Sequence, residues 1–396
     1  MSNILDEITI ARKRKRRRYH LRRFIAVISL FAILIPVIIL VDKVNIYTFR
    51  SIKDFFETTF ASNKGYPAML NSSKPSCAQE LKGATAVVTS SELIIKGNRG
   101  AELFRHTHGY SNPLMNTGKT RVILYDSGNK NYSIYNRTGE MFAAESEFAI
   151  VSAAMANNST AAVLTRGERS FSQLEVLSST NYLTSFTWLG VTGFPLSCNF
   201  SEDSKEVYVV TLNVNSREII SVITFIDVEK RIENAEVKLS GIVLEMYNDR
   251  NGYTAVTDKG VFRINQEYEI ENRYMLSHTP ILAISKSTNH TAIAFGDNNK
   301  SDINYIVILS NTLEELTTLD SVGAVDNICM TEEYLYLLSS SQVHAITKEG
   351  EYMMSCDILQ RAKSIFLIKN KPYMLLHDRI EPLEMIIPKN KKQQES

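Results

Sequence analysis

The sequence predicts an all-β protein, a β-propeller of about seven four-stranded blades with eight as the alternative, preceded by a single transmembrane α-helix. Three observations carry this expectation. Beyond Gly83 the chain is a succession of short runs rich in Val, Ile, Tyr, Phe and Thr, each closed by a polar turn, which is the pattern of strands and hairpins. Two kinds of hairpin alternate at a mean spacing near 42 residues, the length of a four-stranded blade. Near the start, the eighteen residues Phe24–Val41 carry no charge.

The first ten residues are too few to fold alone. The next thirteen, Ala11–Arg23, hold Arg12, Lys13, Arg14, Lys15, Arg16, Arg17, Arg18, Arg22 and Arg23. A nucleic-acid patch needs no hydrophobic segment behind it. Here one follows at once, so these residues read as topogenic charges that stay in the cytoplasm. Eighteen helical residues rise about 27 Å, close to the hydrocarbon thickness of a bilayer. The apolar run exceeds that of a cleaved signal, and Val41-Asp42-Lys43-Val44 is a poor cleavage site, so an uncleaved anchor is expected. The expected location is the cell membrane, single-pass, with the N-terminus cytoplasmic and the C-terminal domain extracytoplasmic. A cytoplasmic arm of about 23 residues leaves no room for a signalling domain.

The net charge of +1 averages unlike parts. Nine of the 44 Lys and Arg and two of the 43 Asp and Glu precede Phe24, so residues 24–396 carry a net charge of about −6. That balance argues against nucleic acid as a partner. Cys77, Cys198, Cys329 and Cys356 form no C-x-x-C pair, and the sequence reading is of free, mostly buried thiols.

From Val44 to Phe60, Phe49, Ile52, Phe55, Phe56 and Phe60 recur at helical spacing. Residues 42–60 are therefore expected to form an amphipathic helix that extends the anchor or lies along the outer membrane surface. Residues 61–83, with Gly, Pro, Ser and Asn and no periodicity, read as a linker.

The propeller is expected over 84–387, with a polar tail at 388–396. One hairpin recurs seven times: Glu92–His106, Tyr132–Ala144, Leu174–Trp188, Ser221–Val237, Gly260–Leu276, Tyr305–Leu319 and Gln342–Ser355. Its turns are centred near Asn98, Arg137, Ser179, Glu229, Gln266, Thr312 and Glu349, in steps of 39, 42, 50, 37, 46 and 37 residues. A second hairpin precedes six of these: Pro113–Asp126, Phe148–Thr165, Pro195–Leu212, Ile242–Thr257, Ile281–Gly296 and Val325–Ser339. The remainders, Ala84–Gly109 and Arg361–Ile387, read as halves of a shared seventh blade that closes the ring and removes exposed sheet edges.

The turns Ile134–Phe142 (IYNRTGEMF) and Thr347–Met353 (TKEGEYM) resemble those of bacterial outer-surface and quinoprotein-type propellers. The layout of basic tail, single anchor, linker and propeller resembles a bacterial membrane-anchored family, domain of unknown function 5711. The resemblance implies no catalytic residues. A quinone-cofactor enzyme would need regularly placed blade tryptophans, and Trp188 is the one tryptophan, so no cofactor is expected.

Candidate chemistry is sparse. His106 and His108, with His278 in a later connection, are the candidate metal ligands, but no carboxylate recurs beside them and loop histidines are common. Asp297–Asp302 alternates oxygen ligands loosely like a calcium loop. It lacks the glycine at its sixth position, and Ile308 stands where the acidic ligand belongs. The neighbouring carboxylates Glu202/Asp203 and Glu332/Glu333 read as solvated turns, and no hydrolase, P-loop or dinucleotide-binding motif is present. The sequence thus reads as a non-enzymatic binding or scaffold module whose partner is another protein or a cell-envelope polymer. An extracytoplasmic hydrolase or lyase is the alternative. Converging acidic or His residues on one face of the ring would favour the enzyme, and an apolar or aromatic patch would favour the binding module.

Overall fold

The structure is a computed structural model that describes residues 46–385 apart from positions 63, 72–73, 168–169, 250, 277–279, 298–299 and 321–323. The basic run, the Phe24–Val41 segment, His278 and the polar tail 388–396 lie outside the described residues, as do Asn298 and Asn299 of the calcium-like loop. The chain divides into two compact units, Met1–Lys53 and Asp54–Ser396. Helix α1 (Ile46–Thr59) crosses that boundary, in the place the periodicity predicts. Among the described residues no helix is long and apolar enough to cross a membrane.

Within Asp54–Ser396 the described strands form eight four-stranded antiparallel sheets. Seven are continuous in sequence: blade 1 (75–107), blade 2 (113–145), blade 3 (150–190), blade 4 (194–240), blade 5 (243–275), blade 6 (281–320) and blade 7 (327–357). Blade 8 takes three strands from Ser364–Ile368, Lys371–Leu375 and Arg379–Pro382, and its outermost strand from Ala68–Met69 near the other end of the propeller. The ring therefore has eight blades, not seven. The difference arises in the stretch expected as linker, 61–83, which carries two strands. Pro75–Leu81 completes blade 1 by itself, and Ala68–Met69 closes blade 8.

Each blade is glued to the next by the alternation of a strand buried on both faces. In blade 4, Val207 and Val209 pack toward blade 3 with Leu164, Leu174 and Val176. Tyr208 and Val210 point the other way, to Tyr253, Ala255 and Phe262 of blade 5. Around the centre, innermost strands are also stitched by side chains that accept from the next blade's backbone. Asn116 Oδ1 takes Met155 N–H at 2.8 Å, Ser285 Oγ takes Met330 N–H at 2.8 Å, and Asn327 Oδ1 takes Ile365 N–H at 2.9 Å. Ser152 Oγ makes the same link to Cys198 N–H at 3.4 Å.

The closing seam pairs Ala68 with Ile380 and Met69 with Arg379, and Leu70 N–H donates to Asp378 O at 2.7 Å. Ala68 and Leu70 are buried against Val87 and Ile94 of blade 1 and Leu375 and Ile380 of blade 8. The approach to the seam is held by Arg99 O, which accepts from both Lys64 and Gly65 N–H. A Cβ on Gly100, whose φ is +76°, would stand 2.0 Å from Gly65 O, so this crossing requires glycine.

Candidate functional site

The strand order gives the ring two distinct faces. In blades 1 to 7 the first-to-second and third-to-fourth turns emerge on one side, and the second-to-third turns and the blade-to-blade loops on the other. The C-terminal half of α1 sits on the first side, the helix face, against the turns of blades 1 and 2. Asp54 and Arg137 form an ion pair there, with Nη2 to Oδ2 at 2.7 Å and Nε to Oδ2 at 3.1 Å. Their side chains are 5% and 8% exposed, and Arg137 Nη1 also donates to Lys82 O. Arg137 belongs to the IYNRTGEMF turn, so that turn serves as the helix's docking socket.

A hollow of about 600 Å³ on the helix face lies between the turns of blades 4 and 5 and is lined by Glu202, Asp203, Glu206, Asp227, Asp249 and Tyr253 among others. It looks like a catalytic crevice until the hydrogen bonds are followed. Glu206 accepts from Tyr253 OH at 2.8 Å, from Asn234 Nδ2 at 2.5 Å and from Tyr268 OH. Burial and the adjoining Glu206 carboxylate push the Tyr268 phenol up to about 12 and Tyr253 up as well. Asp249 receives both Nη atoms of Arg263 at 2.8 Å. Burial is the largest single effect and opposes its ionisation, but the Arg263 hydrogen bonds, the Asn251 N–H and the charges of Arg263 and Lys286 together outweigh it and hold the carboxyl below its usual range. Lys286 approaches Asp249 at 3.5 Å, and burial lowers its ammonium. Asp227 caps its own turn, taking Lys230 N–H at 2.7 Å and Glu229 N–H at 3.0 Å. These acids brace the turns of the face.

The opposite side, the far face, differs at blades 3 and 4. Phe171 and Phe194 meet edge to face with centroids 6.1 Å apart, and the Arg166 guanidinium lies 5.8 Å over the Phe194 ring. Phe194 is 55% exposed and Val191, in the loop just before it, 77%. Leu189 in the adjoining strand is also exposed. The central hairpin of blade 4 has ten-residue strands, against six in blade 2, and its tip projects past the inner strand. There the exposed Val214 and Ile219 stand directly opposite each other.

Of the candidate metal ligands, His106 and His108 are described and His278 lies outside the described residues. His106 stacks on Phe104 with centroids 6.3 Å apart and planes 8° apart, and its ring centroid lies 5.3 Å from that of Tyr135 in blade 2. His108 is buried, its Nδ1 accepts from Tyr110 N–H at 3.3 Å, and burial lowers its pKa. Among the described residues no three His, Cys, Asp or Glu are grouped to hold a metal ion. The four cysteines are unpaired. Burial pushes the Cys77 thiol to about 11 and those of Cys198 and Cys329 to about 12. Sequence reasoning misses both the Asp54–Arg137 pair and the aromatic patch. The 50-residue step between the turns at Ser179 and Glu229 is the available signal for the patch, since it counts the residues that lengthen blade 4.

Fold and surfaces define an eight-bladed propeller with the end of α1, from Asp54 on, held to one face and apolar side chains displayed on the other. The chain belongs to the family of unknown function DUF5711, which matches residues 60–385. No curated protein matches it. Among solved structures it is similar to Sqt1 of Saccharomyces cerevisiae, at 8% identity and a TM-score of 0.60 over 80% of this chain and 98% of that one. It is similar also to BamB of Moraxella catarrhalis, at 11% identity and 0.55 over 78% of this chain and 96% of that one. Hydrazine synthase of Kuenenia stuttgartiensis matches at 9% identity and 0.50 over 71% and 97%. At such identities the likeness shows the propeller fold alone.

Proposed function

We propose that this chain is a single-pass, membrane-anchored binding module that carries its propeller outside the cytoplasm and holds a protein partner on the far face without catalysing a reaction. The observation that carries the binding reading is the exposed Phe171–Phe194 pair beside Arg166, on the same face as the exposed Val191 and the exposed Val214 and Ile219 of the blade 4 hairpin tip. Aromatic side chains with an arginine at their edge are what protein interfaces concentrate at their centres. The acids of the crevice support the same reading from the other side, because Glu206, Asp227 and Asp249 are engaged in bracing turns. Anchoring rests on the charge-free Phe24–Val41 behind nine basic residues, and the charge asymmetry supports the N-in orientation.

The test is capture by full-length protein in the membranes that produce it, wild type against Phe194→Asp and Phe171→Ser. Loss of one protein partner in both variants supports the reading. Unchanged capture, or retention of a soluble envelope polymer in place of a protein, overturns it. Protease added to sealed cells tests the topology: a propeller protected from outside refutes the orientation.

A further inference from the structure

Helix α1 is amphipathic in the reverse of the usual sense. A helix lying on a protein normally turns its apolar stripe inward. Here the inward residue is Asp54, buried against Arg137, with Thr58 one turn on at the same face and close to Gly83. At about 100° per residue, Phe49, Ile52 and Phe56 fall roughly 160–220° away from Asp54, on the opposite side. All three are exposed, as are Phe55 and Phe60. Phe56 stacks on Phe60 with centroids 6.3 Å apart and planes 8° apart, and meets Phe55 edge to face at 5.7 Å. An outward stripe of aromatic rings held by a buried charge pair calls for an apolar medium on its outer side.

We propose that this stripe lies in the lipid–water interface, and that the Asp54–Arg137 clamp thereby lays the helix-face turns of blades 1 and 2 against the bilayer. The inference rests on reading Phe24–Val41 as the membrane anchor. The occupant follows from chain connection. The charge-free run ends at Val41, five residues before Ile46, and five residues reach at most about 18 Å. Helix α1 thus starts within interfacial range of the anchor's end, and aromatic rings settle at that depth. Arg137 fixes the helix to one corner of the ring, so the propeller is tilted onto the membrane by its helix face. The aromatic patch on blades 3 and 4 then points away from the lipid, open to a partner in solution or on a facing surface.

The test places one indole at a time in full-length protein reconstituted in phosphatidylcholine–phosphatidylglycerol vesicles, with Trp188→Phe as background. Phe56→Trp should lose most of its emission when the lipids are brominated on the acyl chain just below the headgroup, and Phe194→Trp on the far face should be unaffected. If the chain floats with the vesicles but the indole at position 56 is unquenched, the interfacial helix is refuted while the anchor stands. Disulfide trapping of Phe56→Cys between two copies without quenching refutes it in favour of a dimer seam. If the chain does not float with the vesicles, the anchoring reading itself fails.

Discussion

The helix face and the far face of the ring treat exposed groups in opposite ways. On the helix face, Arg137, Glu206 and Asp249 are charged groups held by several partners each, and they convert flexible turns into fixed geometry. On the far face, Phe171, Phe194, Val214 and Ile219 stand in water with little to cover them. A satisfied charge contributes mainly by what happens when its partner is removed. An exposed aromatic ring is the reverse: it adds little to folding and keeps its burial free energy for a contact still to be made. One face is therefore sensitive to mutation through stability, and the other through binding.

The contrast is sharpest at the clamp. Arg137→Ala strands the Asp54 carboxylate in a buried site and should weaken docking of residues 54–59 by about 4 kcal/mol. The readout is hydrogen exchange of the 54–59 amides. Exchange as slow as in wild type would remove the clamp's role. Next comes the seam, where Leu70→Ala should cost about 3 kcal/mol in urea unfolding by opening a cavity between blades 8 and 1. A loss no larger than that of an exposed-site control would mean that the closing strand is dispensable. On the far face, Phe194→Asp should leave unfolding within about 0.5 kcal/mol of wild type while weakening partner binding by about 2 kcal/mol. A large stability loss there would erase the distinction between the faces.

The smallest effect is on pH dependence. Hydrogen bonds from Arg105 and then Lys96 hold the Glu102 carboxyl down at about 2, below its ordinary value near 4.5, against a smaller opposing effect of burial. A depressed folded pKa contributes stability that is present above the ordinary value and lost as pH falls toward 2. Because Glu102 is one-third exposed, screening limits this to about 1 kcal/mol. Urea midpoints at pH 5 and pH 2.5 should converge by that amount in Glu102→Gln relative to wild type, and an unaltered difference would refute it.

Much of the ring is legible in the sequence alone. The hairpins around Arg137, Glu229 and Glu349 stand where apolar runs and turn residues put them, because the first strand of each is buried on both sides over most of its length and so reads as Val, Ile, Tyr and Phe. Pro75–Leu81 escapes that reading. As an innermost strand it is only partly buried and keeps Ser76 and Glu80 exposed, so it has no continuous apolar run to show. Ala68–Met69 is two residues long, below any periodicity. Those two omissions together turn eight blades into seven. The clamp is hidden for a different reason. Asp54 and Arg137 are 83 residues apart, and nothing local marks either as half of a pair. The patch is half visible: spacing betrays the extra length of blade 4, while the exposure of Phe194 depends on how two loops cross.

The order of attachments along the chain also has a mechanical meaning. Tension applied from the N-terminal end reaches Asp54 before it reaches Ala68 and Met69. The two-residue strand that completes blade 8 therefore sits downstream of a charge-assisted latch, with the Arg99–Gly65 crossing between them as a second stop. A pull that would peel so short a strand from its neighbour is first borne by Arg137, and the ring stays shut until that latch lets go.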